Sequence, residues 1–167
     1  MQAKRAIVVG QGGTGKTALV RYFKAHPILN WECVDFDDGH RLRPDASDGE
    51  ALRTWFTEGR EFWKTQLSSE AYAGQNVLLF GSGILPWRDM GALADVPYGY
   101  LVLSESERAK RLEDRGDAGL ARIFTKSSPE MREIAERLDA LGARRFVADG
   151  KKVEDLAQEI AMWVRSL

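Results

Sequence analysis

Short apolar runs alternate with longer amphipathic ones along the whole chain. The short runs are rich in β-branched and aromatic residues, and a turn or polar signal follows each of them. They predict five strands, at Ala6–Val9, Glu32–Phe36, Val77–Phe80, Tyr98–Leu103 and Arg145–Val147. Strands that alternate with helices predict an α/β fold: a three-layer sandwich in which helices cover both faces of a five-stranded, mostly parallel sheet.

Three of the amphipathic segments begin with a capping-box pattern, in which a serine hydroxyl accepts from a helix amide and a glutamate reaches back. The pairs are Ser47 with Glu50, Ser104 with Glu107 and Ser127 with Glu130. Each pair predicts the start of a helix. Because ligands of parallel sheets gather beyond the carboxyl ends of the strands, we expect the functional residues at those ends.

Composition narrows the class of protein. The 167 residues suit a single domain spanning 1–167, and 24 Lys and Arg against 25 Asp and Glu lack the basic excess of a general nucleic-acid binder. No apolar run is long enough for a signal peptide or a membrane span, and the lone Cys33 cannot form an internal disulfide. We therefore expect a cytoplasmic protein without a membrane partner, either a monomer or a homodimer.

The segment from Gly10 to Thr17 fits the phosphate-loop pattern G-x-x-x-x-G-K-[ST], directly after the first predicted strand and directly before a helical run. Its glycines let backbone amides surround phosphate oxygens, its lysine supplies a mobile cation, and its threonine can bind Mg²⁺. The pattern predicts a nucleoside triphosphate site formed by Gly10, Gly12, Gly13, Thr14, Gly15, Lys16 and Thr17. No Asn-Lys-x-Asp element that would read guanine is present.

Acidic residues follow the second predicted strand, at Asp35, Asp37 and Asp38. Side chains alternate along an extended chain, which predicts that Asp35 and Asp37 project to the same side. One carboxylate would then steady Mg²⁺, and the other would accept or orient the proton of an attacking hydroxyl. The alternative is a solvated acidic turn.

Together these motifs resemble the small P-loop kinases, a superfamily that includes shikimate kinase, gluconate kinase and the nucleoside monophosphate kinases. The segment Val34–Asp37 looks like the Asp-x-Asp of shikimate kinases, and Trp55–Lys64 and the turn Gly81–Leu85 are similar to other segments of that family. The resemblance implies ATP and Mg²⁺ as cofactors. It also implies that Asp35, with Thr17, serves the metal and that Asp37 contacts the acceptor hydroxyl.

The resemblance places the acceptor in the segment from about 38 to 73 and a lid at about 115–128. Lys64 stands where shikimate kinases have an arginine, which leaves the acceptor open. An aromatic cluster of Trp55, Trp63 and Trp87 would suit a planar acceptor, and the alternative is a helix packed on the sheet. The predicted acceptor-binding residues are Asp37, Arg41, Arg43, Arg60, Lys64, Gly81, Ser82, Gly83 and Arg88.

By the same resemblance, arginines after the fourth strand are candidates for closing over the transferred phosphoryl group. Arg111 is predicted to bind ATP, and Arg115 and Arg122 are predicted to act in catalysis with Lys16, Asp35 and Asp37. The alternative for Arg111 and Arg115 is a solvent-facing set of charges among neighbouring acids.

The resulting hypothesis is an ATP-dependent kinase that phosphorylates a hydroxyl acceptor. A nucleotide kinase is the first alternative, and its acceptor would be a nucleoside monophosphate or a hydroxylated base within DNA. Arg41, Arg43, Arg53 and Arg60 would form the local basic surface that DNA needs, although the net charge does not indicate DNA. The second alternative is a nucleotide-binding regulatory module without phosphotransfer.

Overall fold

Five parallel strands form the central sheet. The computed structural model describes residues 3–45, 47–69, 72–82, 84–88, 93, 95–114, 116 and 128–167, and for 128–131 the backbone only. The strands are β1 (Arg5–Gly10), β2 (Trp31–Asp35), β3 (Asn76–Gly81), β4 (Tyr98–Val102) and β5 (Arg144–Val147), in the order β2-β3-β1-β4-β5. All five predicted strands are confirmed, and no boundary differs by more than one residue.

Helices cover both faces of this sheet. They are α1 (Lys16–Ala25), α2 (Gly49–Ser68), α3 (Glu105–Asp114), α4 (Ser128–Ala140) and α5 (Val153–Ser166). Along β1, Ala6 and Val8 belong to a core shared with α1 and α5, whereas Ile7 and Val9 belong to a second core shared with α2 and α4. The alternation of side chains along a strand therefore builds two apolar layers from one strand, which confirms the predicted three-layer α/β sandwich.

The start of α2 differs from the prediction. The N-cap is Asp48, whose carboxylate accepts from the amide of Ala51 at 2.9 Å. Ser47 instead donates its hydroxyl to Asp45 at 2.7 Å. The Ser47 capping box is therefore wrong by one residue, because an aspartate at the next position supplies an equally good cap.

The start of α3 is confirmed in part. The hydroxyl of Ser104 accepts from the amide of Glu107 at 3.4 Å, as a cap should. The amide of Ser104, however, donates to the carboxylate of Asp149 at 3.0 Å, and Glu107 binds Arg111 instead of reaching back. Ser127, the third predicted cap, lies outside the described residues.

The strand order predicts where a ligand would bind. From β1 the chain crosses to β2 on one side of the sheet, whereas β4 and β5 lie on the other side of β1. A crevice opens beyond the carboxyl end of the central strand at such a reversal. The loop after Gly10 lies at this end of β1. Within the described ranges, no helix is both long and apolar enough to cross a membrane.

Candidate active site

The loop between β1 and α1 has the backbone of a phosphate cradle. Gly15 is the N-cap of α1 and has a φ of 96°, a conformation that side chains disfavour. Among the described residues, no side chain caps this helix end, and its first turn holds no acidic residue. The first amides of α1 and the positive end of its dipole are thus available to an anion.

Lys16 lies over the mouth of the same loop. Its ammonium donates to the carbonyl of Gly10 at 2.6 Å and to the carbonyl of Gln11 at 2.8 Å. These contacts hold the ammonium against the backbone of the phosphate loop.

Thr17 connects the loop to β2. Its hydroxyl donates to a carboxylate oxygen of Asp35 at 3.3 Å, and Asp35 is only 6% exposed. Burial raises the pKa of Asp35, and the charges of Asp37 and Asp38 raise it further, against the opposing effects of the Asp37 amide and of Lys16. A buried carboxylate with a raised pKa beside a hydroxyl and an ammonium is a functional-site signature.

The geometry of the acidic segment differs from the prediction. β2 ends at Asp35, and Phe36–Asp38 form a 3₁₀ turn, so the extended alternation that would align Asp35 with Asp37 is wrong. The turn forms because a carboxylate oxygen of Asp35 accepts from the amide of Asp37 at 3.2 Å. This cap holds the Asp35 carboxylate against the backbone of Asp37. Asp35 is buried, whereas the Asp37 side chain is 44% exposed.

Ion pairs join several of the predicted acceptor-binding cations to carboxylates. The guanidinium of Arg43 lies 3.6 Å from Asp37, that of Arg41 lies 2.7 Å from Glu58, and the ammonium of Lys64 lies 2.9 Å from Glu61. Each of these three cations thus already has an acidic partner.

The other predicted acceptor-binding residues lie on α2 and after β3. Arg60 donates to the hydroxyl of Thr57 at 3.0 Å. Gly81 ends β3, Ser82 follows it, and Arg88 stands in the next turn, where its amide donates to the carbonyl of Leu85 at 3.0 Å. Gly83 lies outside the described residues.

Two of the three tryptophans proposed for a planar acceptor are core residues. Trp55 is 0% exposed and Trp63 is 3% exposed, both in the apolar layer between α2 and the sheet. Packing of the helix on the sheet is therefore the correct alternative for these two. Trp87 is half-buried, and the guanidinium of Arg137 lies 5.5 Å from its ring centre.

Two arginines of α3 reach the phosphate loop. Arg111 binds Glu107 at 3.1 Å, and a Cβ on Gly15 would lie 3.9 Å from its guanidinium. Arg108, which the sequence analysis missed, is 4% exposed, and a Cβ on Gly13 would lie 3.2 Å from its side chain. Its spacing of four from the buried Leu112 was the available signal, because that spacing puts both on one helix face. Burial lowers the pKa of Arg108.

The predicted catalytic arginines Arg115 and Arg122 lie outside the described residues, as does most of the predicted lid at 115–128. Their roles stay predictions. The residues that the structure brings together are the phosphate loop, Asp35, Asp37, Arg108 and Arg111.

Several solved structures with this architecture are kinases. Neither a protein-family model nor a curated protein matches the sequence. A shikimate kinase from Aquifex aeolicus superposes with a TM-score of 0.62 at 14% identity, over 97% of this chain and 96% of that one.

Two further kinases give similar values. For a shikimate kinase from Bacteroides thetaiotaomicron the TM-score is 0.57 at 19% identity, with 97% and 98% of the two chains covered. For a gluconokinase from Sinorhizobium meliloti it is 0.55 at 12% identity, with 98% and 92% covered. The chain therefore has the fold of the small P-loop kinase superfamily.

Proposed function

We propose that this protein is a kinase that transfers the γ-phosphoryl group of ATP to a hydroxyl acceptor. One observation carries the proposal: the Asp35 carboxylate meets the Thr17 hydroxyl at the end of the phosphate loop, and the half-exposed Asp37 stands two residues further on. A phosphate cradle with one buried and one accessible carboxylate at its mouth has the parts that phosphoryl transfer requires. The fold similarity to shikimate kinases and a gluconokinase is consistent with it.

The donor atoms fit Mg²⁺. This ion prefers oxygen ligands and keeps several waters, and the Thr17 hydroxyl and the Asp35 carboxylate are an oxygen pair of that kind. A cation beside Asp35 would also offset the burial and the acidic neighbours that raise its pKa. When bound, Mg²⁺ would neutralise charge on the transferred phosphoryl group. Thr17 and Asp35 are the residues that would hold the ion.

The chain's own groups supply the remaining steps. The amides of the loop and Lys16 hold the triphosphate, and Arg111 adds charge at the same loop. The acceptor oxygen forms a bond to the γ-phosphorus while the bond from that phosphorus to the bridging oxygen breaks, and ADP leaves with the electron pair. The proton of the acceptor hydroxyl passes to the Asp37 carboxylate.

The paired charges favour an alcohol over a phosphate as acceptor. Arg41, Arg43 and Lys64 each face a carboxylate within 4 Å, so an anionic acceptor would have to displace those partners first. Asp37 would also repel a phosphate oxygen, which needs no general base. These contacts count equally against DNA, whose binding depends on unneutralised basic surface.

The decisive variant is Asp37→Asn. It keeps the shape of the side chain and removes the proton acceptor, so acceptor-dependent turnover should fall roughly 10²- to 10⁴-fold with little change in ATP binding. ADP release from Mg·ATP would be measured against panels of polyols, hydroxy acids, nucleosides, nucleoside monophosphates and duplex DNA. Asp38→Asn is the matched control, since the Asp38 carboxylate faces Lys24 at 3.1 Å.

The possible results separate the functions. Loss of turnover in Asp37→Asn alone supports an alcohol acceptor. A fully active Asp37→Asn enzyme with a phosphate acceptor would establish the nucleotide-kinase alternative. ATP binding without ADP release in the presence of any acceptor would instead indicate the regulatory module.

A further inference from the structure

A tryptophan of α2 donates a hydrogen bond to the backbone of the acidic turn. The indole N–H of Trp63 donates to the carbonyl of Phe36 at 3.1 Å, and the contact is buried. The same carbonyl accepts from the amide of Gly39 at 3.3 Å, which closes the 3₁₀ turn. The carbonyl oxygen of Phe36 therefore accepts two hydrogen bonds, one from its own turn and one from the long helix α2.

The side chain of Phe36 is fixed as firmly as its carbonyl. It is fully buried, and its ring packs edge-on against Trp55 with centroids 5.5 Å apart. A Cβ on Gly59 would lie 2.4 Å from the ring, and a Cβ on Gly81 would lie 2.8 Å from the Phe36 Cβ. Both α2 and β3 thus approach this residue as closely as glycine allows, so the turn has little room to move.

Phe36 lies between the two carboxylates of the proposed mechanism. Asp35 precedes it and faces Thr17, and Asp37 follows it at the mouth of the site. Any shift of the Phe36 peptide therefore changes the position of both acids relative to the phosphate loop. A displacement of about 1 Å can cost roughly 10²-fold in rate when catalysis depends on alignment.

We infer that Trp63 is a positioning residue, whose indole N–H holds the turn Asp35–Asp37 in the alignment that phosphoryl transfer needs. The inference rests on the proposed function for its kinetic consequence, but its structural part is independent of that function. It assigns to Trp63 a polar role besides packing, because the ring alone would fill the same core space without fixing the carbonyl.

The test is Trp63→Phe. Phenylalanine retains an aromatic ring in the core and removes the N–H, and the amide of Gly39 still satisfies the Phe36 carbonyl, so the variant is expected to fold. Trp163→Phe is the matched control. Trp163 lies in the other apolar layer, where its ring packs edge-on against Phe146 at 5.6 Å.

Two measurements are needed, both well below the unfolding temperature. Amide hydrogen exchange of residues 36–39 reports the turn directly, and protection there should fall in Trp63→Phe and not in Trp163→Phe. Steady-state hydrolysis of Mg·ATP, with water in the place of the acceptor, should show a kcat lowered about 10- to 100-fold and an unchanged KM for ATP.

The outcomes distinguish this inference from the proposed function. Reduced protection together with reduced kcat supports it. Unchanged protection of residues 36–39, or a kcat that falls equally in Trp163→Phe, would overturn it. If the unaltered protein neither hydrolyses ATP nor phosphorylates any acceptor, the proposed function fails, and hydrogen exchange alone then decides whether Trp63 holds the turn.

Discussion

Asp35 is a buried acid beside the phosphate loop, and its burial disfavours the charged form. Its carboxylate is buried among other acids, and the resulting rise in pKa means that the folded protein binds its proton more tightly than the unfolded chain does. The stability that this proton contributes is fully present at low pH and is lost as the pH rises through the raised pKa. A charge that costs stability at neutral pH, next to a phosphate loop, is consistent with the metal-binding role proposed for Asp35.

Asp35→Asn should therefore stabilise the ligand-free protein. The amide carbonyl can still accept from the Asp37 amide, and the charge that burial disfavours is gone. In thermal unfolding with EDTA, the variant and the unaltered protein should have the same unfolding temperature at acid pH. The unfolding temperature of the variant should become the higher one as the pH rises through the raised pKa, and each kcal/mol of stabilisation corresponds to roughly 2–4 °C.

Activity should change in the opposite direction in the same variant. Asp35→Asn should raise the Mg²⁺ concentration needed for half-maximal turnover, and added Mg²⁺ should partly restore the rate.

The stability prediction for Asp35→Asn has its own control. Asp95→Asn, which alters an exposed acid before β4, should leave the unfolding temperature nearly unchanged. An Asp35→Asn protein that is less stable than the unaltered one at neutral pH would contradict the burial argument.

At the scale of elements, the sequence predicted what depends on local pattern. The five strands, the phosphate loop and the Ser104 cap follow from apolar runs, glycine spacing and helix-start residues that lie close together in the chain. The buried role of Arg108 depends on its approach to Gly13, about ninety residues away in the chain, and no local pattern encodes such a contact. A local pattern also does not reveal which neighbouring aspartate will cap a helix, as at Ser47 and Asp48.

The acidic turn illustrates the same limit. Alternation along β2 predicts an extended Asp35–Asp37, but the Asp35 carboxylate caps a 3₁₀ turn there. Trp63, Gly59 and Gly81, which belong to α2 and β3, contact or closely approach Phe36 within this turn. A local cap and tertiary packing thus act together against an extended chain at Phe36. The phosphate loop and the neighbouring acids were recognisable as candidates from sequence, whereas Arg108 and the orientation of Asp37 relative to Asp35 were not.

A second tertiary contact joins α2 to the sheet. The guanidinium of Arg5, at the start of β1, donates to the carbonyl of Leu67 at 3.2 Å, to that of Gln75 at 2.7 Å and to that of Tyr72 at 3.3 Å. These carbonyls belong to the end of α2 and the connection to β3. One side chain thus satisfies a carbonyl that the end of α2 leaves without a helical partner and also binds two carbonyls of the following connection.

Arg5→Ala should lower the free energy of unfolding by about 1–2 kcal/mol, because hydrogen bonds from a charged donor are lost at partly buried carbonyls. Arg5→Lys should recover only part of this, since an ammonium cannot reproduce the planar fork. Chemical denaturation would measure both, with Arg21→Ala on the exposed face of α1 as the control. Equal stability of Arg5→Lys and the unaltered protein would show that charge alone suffices.

On the scale of the whole molecule, the proposed site connects elements from both sides of β1. The phosphate loop leads into α1, the acidic turn ends β2 and packs on α2, and Arg108 and Arg111 come from α3 after β4. A ligand that binds this loop would contact elements that reach both apolar layers. Its binding energy would therefore stabilise the whole fold and not one segment alone.

Mg·ATP should accordingly raise the unfolding temperature. At a concentration of 100 times its Kd a ligand adds about 2.7 kcal/mol, which corresponds to roughly 5–10 °C for a chain of this size. Lys16→Ala should abolish most of this shift at the same concentration, because the ammonium that now donates to Gly10 and Gln11 is the cation available to the phosphates.

Two controls make that result specific to the phosphate loop. Lys110→Ala removes an exposed ammonium from α3 and should keep the full shift. Adenosine, which has no phosphates, should give little shift in any variant, since the loop amides and Lys16 would have nothing to bind. An equal shift with adenosine and with Mg·ATP, or a full Mg·ATP shift in Lys16→Ala, would place the nucleotide away from the loop and would remove the basis for the kinase proposal.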